Sequence, residues 1–314
     1  MLVLSDTDPA DPPAAGSVVT IGAYDGIHLG HRAVIDRVRV LAGERGLTSA
    51  VVTFDRHPAS VVRPASAPRL LTDPEQKLEL LAATGVDRTL LVRFDERRAS
   101  ETPEDFVAGV LVERLATKLV VVGEDFHFGS QRRGNVALLR ELGPRHGFEV
   151  APVELLARVD GVDEPVSSTA IRRALAGGEV DVAARLLGRP FEVRGTVVTG
   201  DQRGRTLGFP TANVEIPNQI CLPADGVYAG WYERPDGSVH PCAVNLGRRP
   251  TFYAHADHSL LEAHLLDADV DLYGESAKVR FVAFLRSERK FAGIEALVQQ
   301  LRSDIGATRR ALGV

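Results

Sequence analysis

The chain has 314 residues, about two domains' worth when soluble domains run at roughly 100–200 residues each. With 44% hydrophobic residues, 25% charged residues and a mean hydropathy of -0.03, its composition excludes wholesale disorder, collagen-like repeats and membrane classes. Its 37 Lys and Arg against 42 Asp and Glu leave a net charge of -5, so no broad basic face for nucleic acid is expected and any polyanion it binds is small.

Residues 1–16 carry Asp6, Asp8 and Asp11 among Pro9, Pro12 and Pro13 and read as a flexible lead-in without a secretory signal. From Ser17 to Leu187, short β-branched runs (Val18–Ile21, Ser49–Phe54, Thr89–Phe94, Lys118–Val122, Phe148–Val153) alternate with helical patterns at His31–Arg45, Pro74–Thr84 and Pro103–Thr117. That alternation predicts βαβ units closing on a parallel sheet, a doubly wound α/β domain. Ligands of such sheets sit beyond the carboxyl ends of the strands, so the loops after Ile21, Phe54 and Val122 are the places to look for chemistry. After Gly188-Arg-Pro190 the texture changes. Phe191–Thr199, Thr211–Ile216, Gly226–Glu233, Val239–Asn245, Ser259–Leu266 and Lys278–Arg286 predict six strands, with a hairpin at Arg234-Pro-Asp-Gly237. Six short strands suit a small antiparallel barrel, because closure removes exposed edges. A last helix from Gly293 to Leu312, with Ile294, Leu297, Val298, Leu301 and Ile305 at helical spacing, is expected to pack across it. The expected division is thus a lead-in (1–16), an α/β domain (17–187) and an all-β domain (188–314).

No apolar run approaches the ~18 residues of a membrane span. Cys221 and Cys242 belong to no CxxC pair, so neither a disulfide framework nor structural zinc is expected and a reducing cytoplasm fits. The first chemical signal is Gly22-Ala-Tyr-Asp25-Gly-Ile-His28-Leu-Gly-His31, which closes the first strand and opens a helix. Two imidazoles three residues apart at a helix start can project to one side, beside the N–H groups and dipole end that favour phosphate. In the loop after the fourth strand, Asp125-Phe126-His-Phe128-Gly129 is followed by Arg132, Arg133 and Asn135, glycines and planar forks that suit a phosphorylated ligand. Ser167, Ser168 and Thr169 at a helix start, with Arg172 a turn later, make a third anion-friendly element, although plain helix capping also accounts for hydroxyls there. In the second half, Gly200, Gly204, Arg205, Gly208, Pro210, Thr211 and Asn213 form a Gly-rich connection with no Gly-Lys-Ser or Gly-Lys-Thr, so a Walker-type loop is excluded. Thr211 and Asn213 offer the hard oxygens that Mg²⁺ takes while keeping several waters. Glu262 and His264 share one face of a strand, and spacing alone leaves Glu262 either a surface residue or a placed base.

Taken together, these motifs resemble the bacterial bifunctional riboflavin kinase/FMN adenylyltransferase (FAD synthetase) family over nearly the whole chain. The first half is similar to nucleotidyltransferases through His28-x-Gly-His31 and Ser167-Ser168-Thr169-x-Ile-Arg172, and the second to flavokinases through Pro210-Thr211-Ala-Asn213, Asn245-Leu-Gly-x-Arg-Pro250-Thr-Phe252 and Leu261-Glu262-Ala-His264. The resemblance implies a nucleotidyltransferase-like sheet that joins FMN to ATP with release of pyrophosphate. Gly22, Asp25, His28, His31, Ser168, Thr169 and Arg172 would face ATP there, and Asp125, Phe126, Phe128, Arg132 and Asn135 the flavin. It implies a barrel that phosphorylates riboflavin, with Gly200, Gly204, Arg205, Gly208, Pro210, Thr211 and Asn213 on ATP, Thr211 and Asn213 on Mg²⁺, and Glu262 as base. Riboflavin and ATP would be substrates, FMN and FAD products, with no nucleic acid or membrane as partner. Tyr24 stands where that family usually has Phe, and His127 where it often has Arg. The competing readings are a non-catalytic flavin sensor, which needs neither Glu262 nor paired histidines, and a nucleotidyltransferase for another phosphorylated acceptor, which leaves the second-half motifs unexplained.

Overall fold

The computed structural model describes residues 1–153, 158–200, 204, 207–248, 259–268 and 270–314. They divide into two compact units, Met1–Arg158 and Val159–Val314.

The first unit is a six-stranded parallel sheet. Its strands are β1 (Leu2–Ser5), β2 (Ser17–Ile21), β3 (Thr48–Phe54), β4 (Arg88–Val92), β5 (Thr117–Gly123) and β8 (Glu149–Val153), in the order β1-β4-β3-β2-β5-β8. Two short strands, β6 (His127–Phe128) and β7 (Gly134–Asn135), form a separate ribbon after β5. Every residue of β2 is buried, as a central strand covered on both faces requires. On one face Val18 packs with Leu119 and Val121 against Val34, Val38 and Leu41 of α1 (Leu29–Arg45). On the other, Val19 and Ile21 meet Val107, Val110, Leu111, Leu139 and Leu142, because successive side chains of a strand alternate. The sheet reverses its winding at β2, with β3 on one side and β5 on the other, so the crevice expected to take ligands lies between the ends of β2 and β5.

Two expectations need correction here. Residues 1–16 are not simply a flexible lead-in, because Leu2–Ser5 pairs in parallel with β4. The acidic residues that suggested a solvated tail are anchored: Asp6 pairs with Arg98 at 2.7 Å and accepts from the Arg93 N–H, and the Arg114 guanidinium donates to the Asp8 carbonyl. A helix also runs from Val136 to His146 where none was expected. Gly143-Pro144 reads as a breaker, yet Asn135 caps its start through the Leu138 N–H, and Val136, Leu139 and Leu142 bury its apolar stripe.

The second unit opens with two helices, Ser168–Ala176 and Val180–Leu187, followed by a closed barrel. Its strands are β9 (Phe191–Val198), β10 (Ala212–Glu215), β11 (Gly226–Glu233), β12 (Val239–Arg248), β13 (Ser259–Leu265) and β14 (Ser276–Arg286), in the order β10-β13-β12-β11-β14-β9, with β9 closing on β10. The turn at Arg234–Gly237 closes the β11–β12 hairpin, with Gly237 at φ 84°. The compact division falls after Arg158, ahead of the change in texture near Gly188, because both helices pack on barrel elements. The Val180–Leu187 helix lies against β9 and β14, and the Ala224 N–H donates to the Leu175 carbonyl. A fragment starting at Val159 is therefore expected to melt cooperatively, and one starting at Gly188 to melt at a lower temperature. The shorter fragment gives up the burial of Ile171, Leu175, Leu186 and Leu187, each worth about 1.5–3 kcal/mol. Equal melting temperatures for the two fragments would refute the assignment of these helices to the barrel.

The terminal helix, Ile294–Leu312, packs across β11, β12 and β14. Its expected apolar stripe is only half-buried at Leu297, Leu301 and Ile305, and Ile294 is exposed, so the stripe walls a cavity and does not fill a core.

Candidate active sites

In the first unit, α1 starts at the crevice where the sheet reverses. His28 is its N-cap: Nδ1 accepts the His31 N–H at 3.2 Å, so the proton of a neutral His28 ring is on Nε2. The His28 and His31 rings stack with centroids 3.6 Å apart and planes 17° from parallel. Tyr24 tilts over His31 at 4.9 Å, and its hydroxyl and Thr20 Oγ1 are 2.8 Å apart, so the ring that replaces the usual Phe has a bonded hydroxyl. A Cβ at Gly22 would lie 3.0 Å from the Tyr24 ring, which is why a glycine stands there. His31 Nδ1 is buried and has no hydrogen-bond partner among the described residues. Burial, with His28 adding to it, holds the His31 imidazole well below its usual pKa and therefore neutral at pH 7. Two stacked imidazoles at a helix N-terminus suit an arriving polyphosphate, whose charge would strengthen their hydrogen bonds.

Other residues expected around this site take different work. The Asp25 carboxylate is buried and accepts from the N–H groups of Leu71 and Thr72, so it holds a loop. Phe128 spends its ring on the core beside Phe106, under Gly134, where a Cβ would come within 2.7 Å of it. Phe126 stacks on Phe128 at 5.6 Å, and Asn135 is a helix cap. Asp125 and Arg132 are exposed, Arg132 in the left-handed region at φ 58°. Ser168, Thr169 and Arg172 lie on the first helix of the second unit. The cap there is Ser167, whose Oγ accepts the Ala170 N–H at 3.1 Å.

The second site is on the outer face of the barrel. Along β13, Leu261, Ala263 and Leu265 point into the core, so Glu262 and His264 point out. Barrel register places Glu262 directly between Asn213 on β10 and Asn245 on β12, a row of three polar side chains across three strands. All three line a cavity of about 290 Å³ that also includes Thr211, His264 and, on the terminal helix, Leu297, Leu301 and Ile305. The surface-or-base alternative for Glu262 thus has a third outcome: it faces away from the core and into a cavity that the terminal helix walls. The terminal helix is fastened there by Arg286, whose guanidinium makes a two-pronged ion pair with buried Asp304 at 2.7 Å, while Gln300 donates to the same carboxylate. Asn245, which the sequence offered only as part of a family motif, and the helical wall were not assigned to the site from sequence. Pairing Asn245 with Glu262 needed the strand register.

Gly204, Leu207 and Phe209 of the Gly-rich connection line the same cavity. The Gly204 carbonyl accepts from the N–H groups of Leu207 and Phe209, and Gly208 takes φ 83°, which favours glycine. A Cβ at Gly200 would strike the Asn213 amide at 2.2 Å. His264 Nδ1 is 2.7 Å from the Pro210 carbonyl, which can only accept, so His264 donates and pins the Pro-Thr-Ala-Asn segment. Thr211 and Asn213 also line a second, smaller cavity with Val197, Leu265, Leu272 and Tyr273, and so stand between two compartments. Arg203, Arg205 and Pro250–Phe252 lie outside the described residues.

Residues 11–170 match the FAD synthetase family and residues 187–312 the riboflavin kinase family. The chain is 40% identical over 306 residues to the bifunctional riboflavin kinase/FMN adenylyltransferase of Escherichia coli K12, covering 96% of this chain and 95% of that protein. To the enzyme of the same description from Bacillus subtilis it is 37% identical, covering 92% and 90%. A solved structure described as a macrolide-efflux protein from Streptococcus pneumoniae superposes with a TM-score of 0.84 at 30% identity, covering 98% of this chain and 99% of that one. No helix among the described residues is long and apolar enough to cross a membrane. With stacked histidines at a helix start on the parallel sheet, a carboxylate facing a cavity on the barrel, and relatives that align across both, the chain belongs to the bifunctional riboflavin kinase/FMN adenylyltransferase family.

Proposed function

We propose that the barrel transfers the γ-phosphoryl group of ATP to the 5′-hydroxyl of riboflavin, and that the parallel-sheet unit then joins the FMN formed to the α-phosphate of a second ATP, releasing pyrophosphate. The observation that carries this reading is the Asn213–Glu262–Asn245 row along one cavity, with Asn213 also bordering a second. The larger cavity, with its apolar helical wall, suits a flavin ring, and the smaller one a nucleotide. Thr211 and Asn213 stand where phosphates would pass between them.

In the kinase step, Glu262 accepts the proton of the ribityl hydroxyl as that oxygen attacks the γ-phosphorus and ADP leaves. His264 keeps the segment bearing Thr211 and Asn213 in place. Three or more His, Cys, Asp or Glu residues grouped as a metal site are not found among the described residues, whereas Thr211 and Asn213 present neutral oxygens beside the carboxylate. That donor set fits Mg²⁺, which prefers oxygen and shares its shell with substrate phosphates and water; when bound it neutralises charge on the phosphates. In the adenylyl step, His28 and His31 hydrogen-bond the phosphate oxygens where charge develops, beside the N-terminus of α1. Asp125 and Arg132 we assign to the FMN side. A cytoplasmic setting suits two buried cysteines that form no disulfide.

The test is chromatography of riboflavin, FMN and FAD after incubation with ATP and Mg²⁺. FMN should appear first, then FAD with pyrophosphate; absence of FMN would overturn the kinase assignment, and FMN without FAD the adenylyltransferase assignment. Thr211→Ala and Asn213→Ala should raise the Mg²⁺ and ATP concentrations needed for half-maximal kinase rate, because a metal or nucleotide contact has gone while the base remains. Unchanged requirements would remove both residues from the metal site.

A further inference from the structure

We propose that Lys77 is a positioning residue for adenylyl transfer: its buried ammonium locks the loop that carries His28 against the end of β3, and so fixes where the stacked imidazoles sit. The inference rests on the adenylyltransferase reading of the first unit.

Lys77 lies in the helix Pro74–Ala83, which Asp73 caps through the Gln76 N–H. Its side chain turns inward, leaving the residue 8% exposed, and Nζ donates to the Phe54 carbonyl at 2.5 Å, at the end of β3. A lysine this buried is rare unless its charge is paired. With Ala23, Asp25, Asp55 and Thr72 it lines a small recess, and the two carboxylates oppose the effect of burial, which lowers its pKa. Each carboxylate is itself anchored. Asp25 takes the Leu71 and Thr72 N–H groups, and Asp55 takes the Phe94 N–H at 2.9 Å. Thr72 Oγ1 also accepts the Gly26 N–H, which closes the lock on the loop.

That loop needs holding. Tyr24 at φ 49° and Ile27 at φ 39° are both in the left-handed region, where a β-branched residue is a genuine outlier, and the next residue is His28. Such backbone persists only where its surroundings over-determine it. Ile27 is clamped among Ile35, Val51, Leu81 and Val86, the loop is tied by Asp25 and Gly26 to Leu71 and Thr72, and the Lys77 ammonium attracts the Asp25 carboxylate from its bond to the end of β3. A relaxed loop would still bind nucleotide through the helix N-terminus while holding the imidazoles off the reacting phosphate.

Lys77→Met keeps the stem and removes the ammonium. With FMN and ATP supplied, kcat for FAD formation should fall by about 10²-fold, the scale of a misplacement of about 1 Å, while KM for ATP and FMN changes little. FMN formation by the barrel in the same chain should be unaffected. The Asp25→Asn/Lys77→Met double variant should be no worse than the worse single variant, because both remove one connection. Unchanged kcat, a loss expressed in KM alone, or additive losses would overturn the proposal. Asp55→Asn loosens the same recess from its rim; it carries the same expectation at smaller amplitude and decides the matter should Lys77→Met fail to fold. A wild-type chain that makes no FAD would instead sink the underlying adenylyltransferase reading.

Discussion

Glu262→Gln is expected to cut FMN formation from riboflavin about 10²–10⁴-fold, the range that loss of a general base gives, with riboflavin binding little changed. The substitution keeps the side chain's size and its place between Asn213 and Asn245, so the row of polar groups survives and only the proton acceptor is lost. FAD formation from supplied FMN should be intact, because that chemistry belongs to the parallel-sheet unit. The check is both rates on one preparation. A kinase rate equal to that of wild type would make Glu262 a polar wall of the cavity and leave the ribityl proton to another acceptor.

His31→Ala should show the opposite pattern: FAD formation lower by about 10²–10³-fold, the cost of one lost transition-state donor, and FMN formation continuing. The ring occupies a buried position between His28 and Tyr24, so its removal also takes away the stacking that orients His28. A stability measurement gives a second readout. The folded-state pKa of His31 lies below that of the unfolded chain, near ~6.5, so the unfolded state binds more protons as pH falls. Wild type should therefore lose stability progressively below pH ~6.5, and His31→Ala should lose less over the same interval. FAD synthesis near the wild-type rate in His31→Ala would remove the residue from the transfer site.

The sheet and the barrel were legible because their strands are β-branched runs separated by Gly, Pro and Asn, and because the helices between the parallel strands are long enough to be crossovers. What escaped was decided by tertiary partners. Leu2–Ser5 is a strand only because β4 offers an edge, and Asp6 is ordered only because Arg98 reaches it across 92 positions of sequence. The helix at Val136–His146 tolerates Pro144 because that residue sits in its last turn, where the missing N–H costs a single hydrogen bond. At the candidate sites, residue type pointed to chemistry but not to its direction. That His28 and His31 project to one side was readable from spacing; their stacking depends on His28 being the N-cap whose Nδ1 accepts the His31 N–H. Asp25 and Phe128 have the right chemistry for a ligand, yet the fold turns one toward backbone N–H groups and the other into the core. Glu262 needed the barrel register, which brings Asn213 and Asn245 alongside it from strands far away in sequence.

The central claim, two separate sites on one chain with FMN the product of one and the substrate of the other, is tested most directly by mixing the Glu262→Gln and His31→Ala proteins and following riboflavin, FMN and FAD with ATP and Mg²⁺. Alone, the first should stall at riboflavin and the second at FMN; together they should convert riboflavin to FAD, each supplying the step the other lacks. A mixture that makes no more FAD than either variant alone, or a single variant that completes the conversion at the wild-type rate, would contradict it.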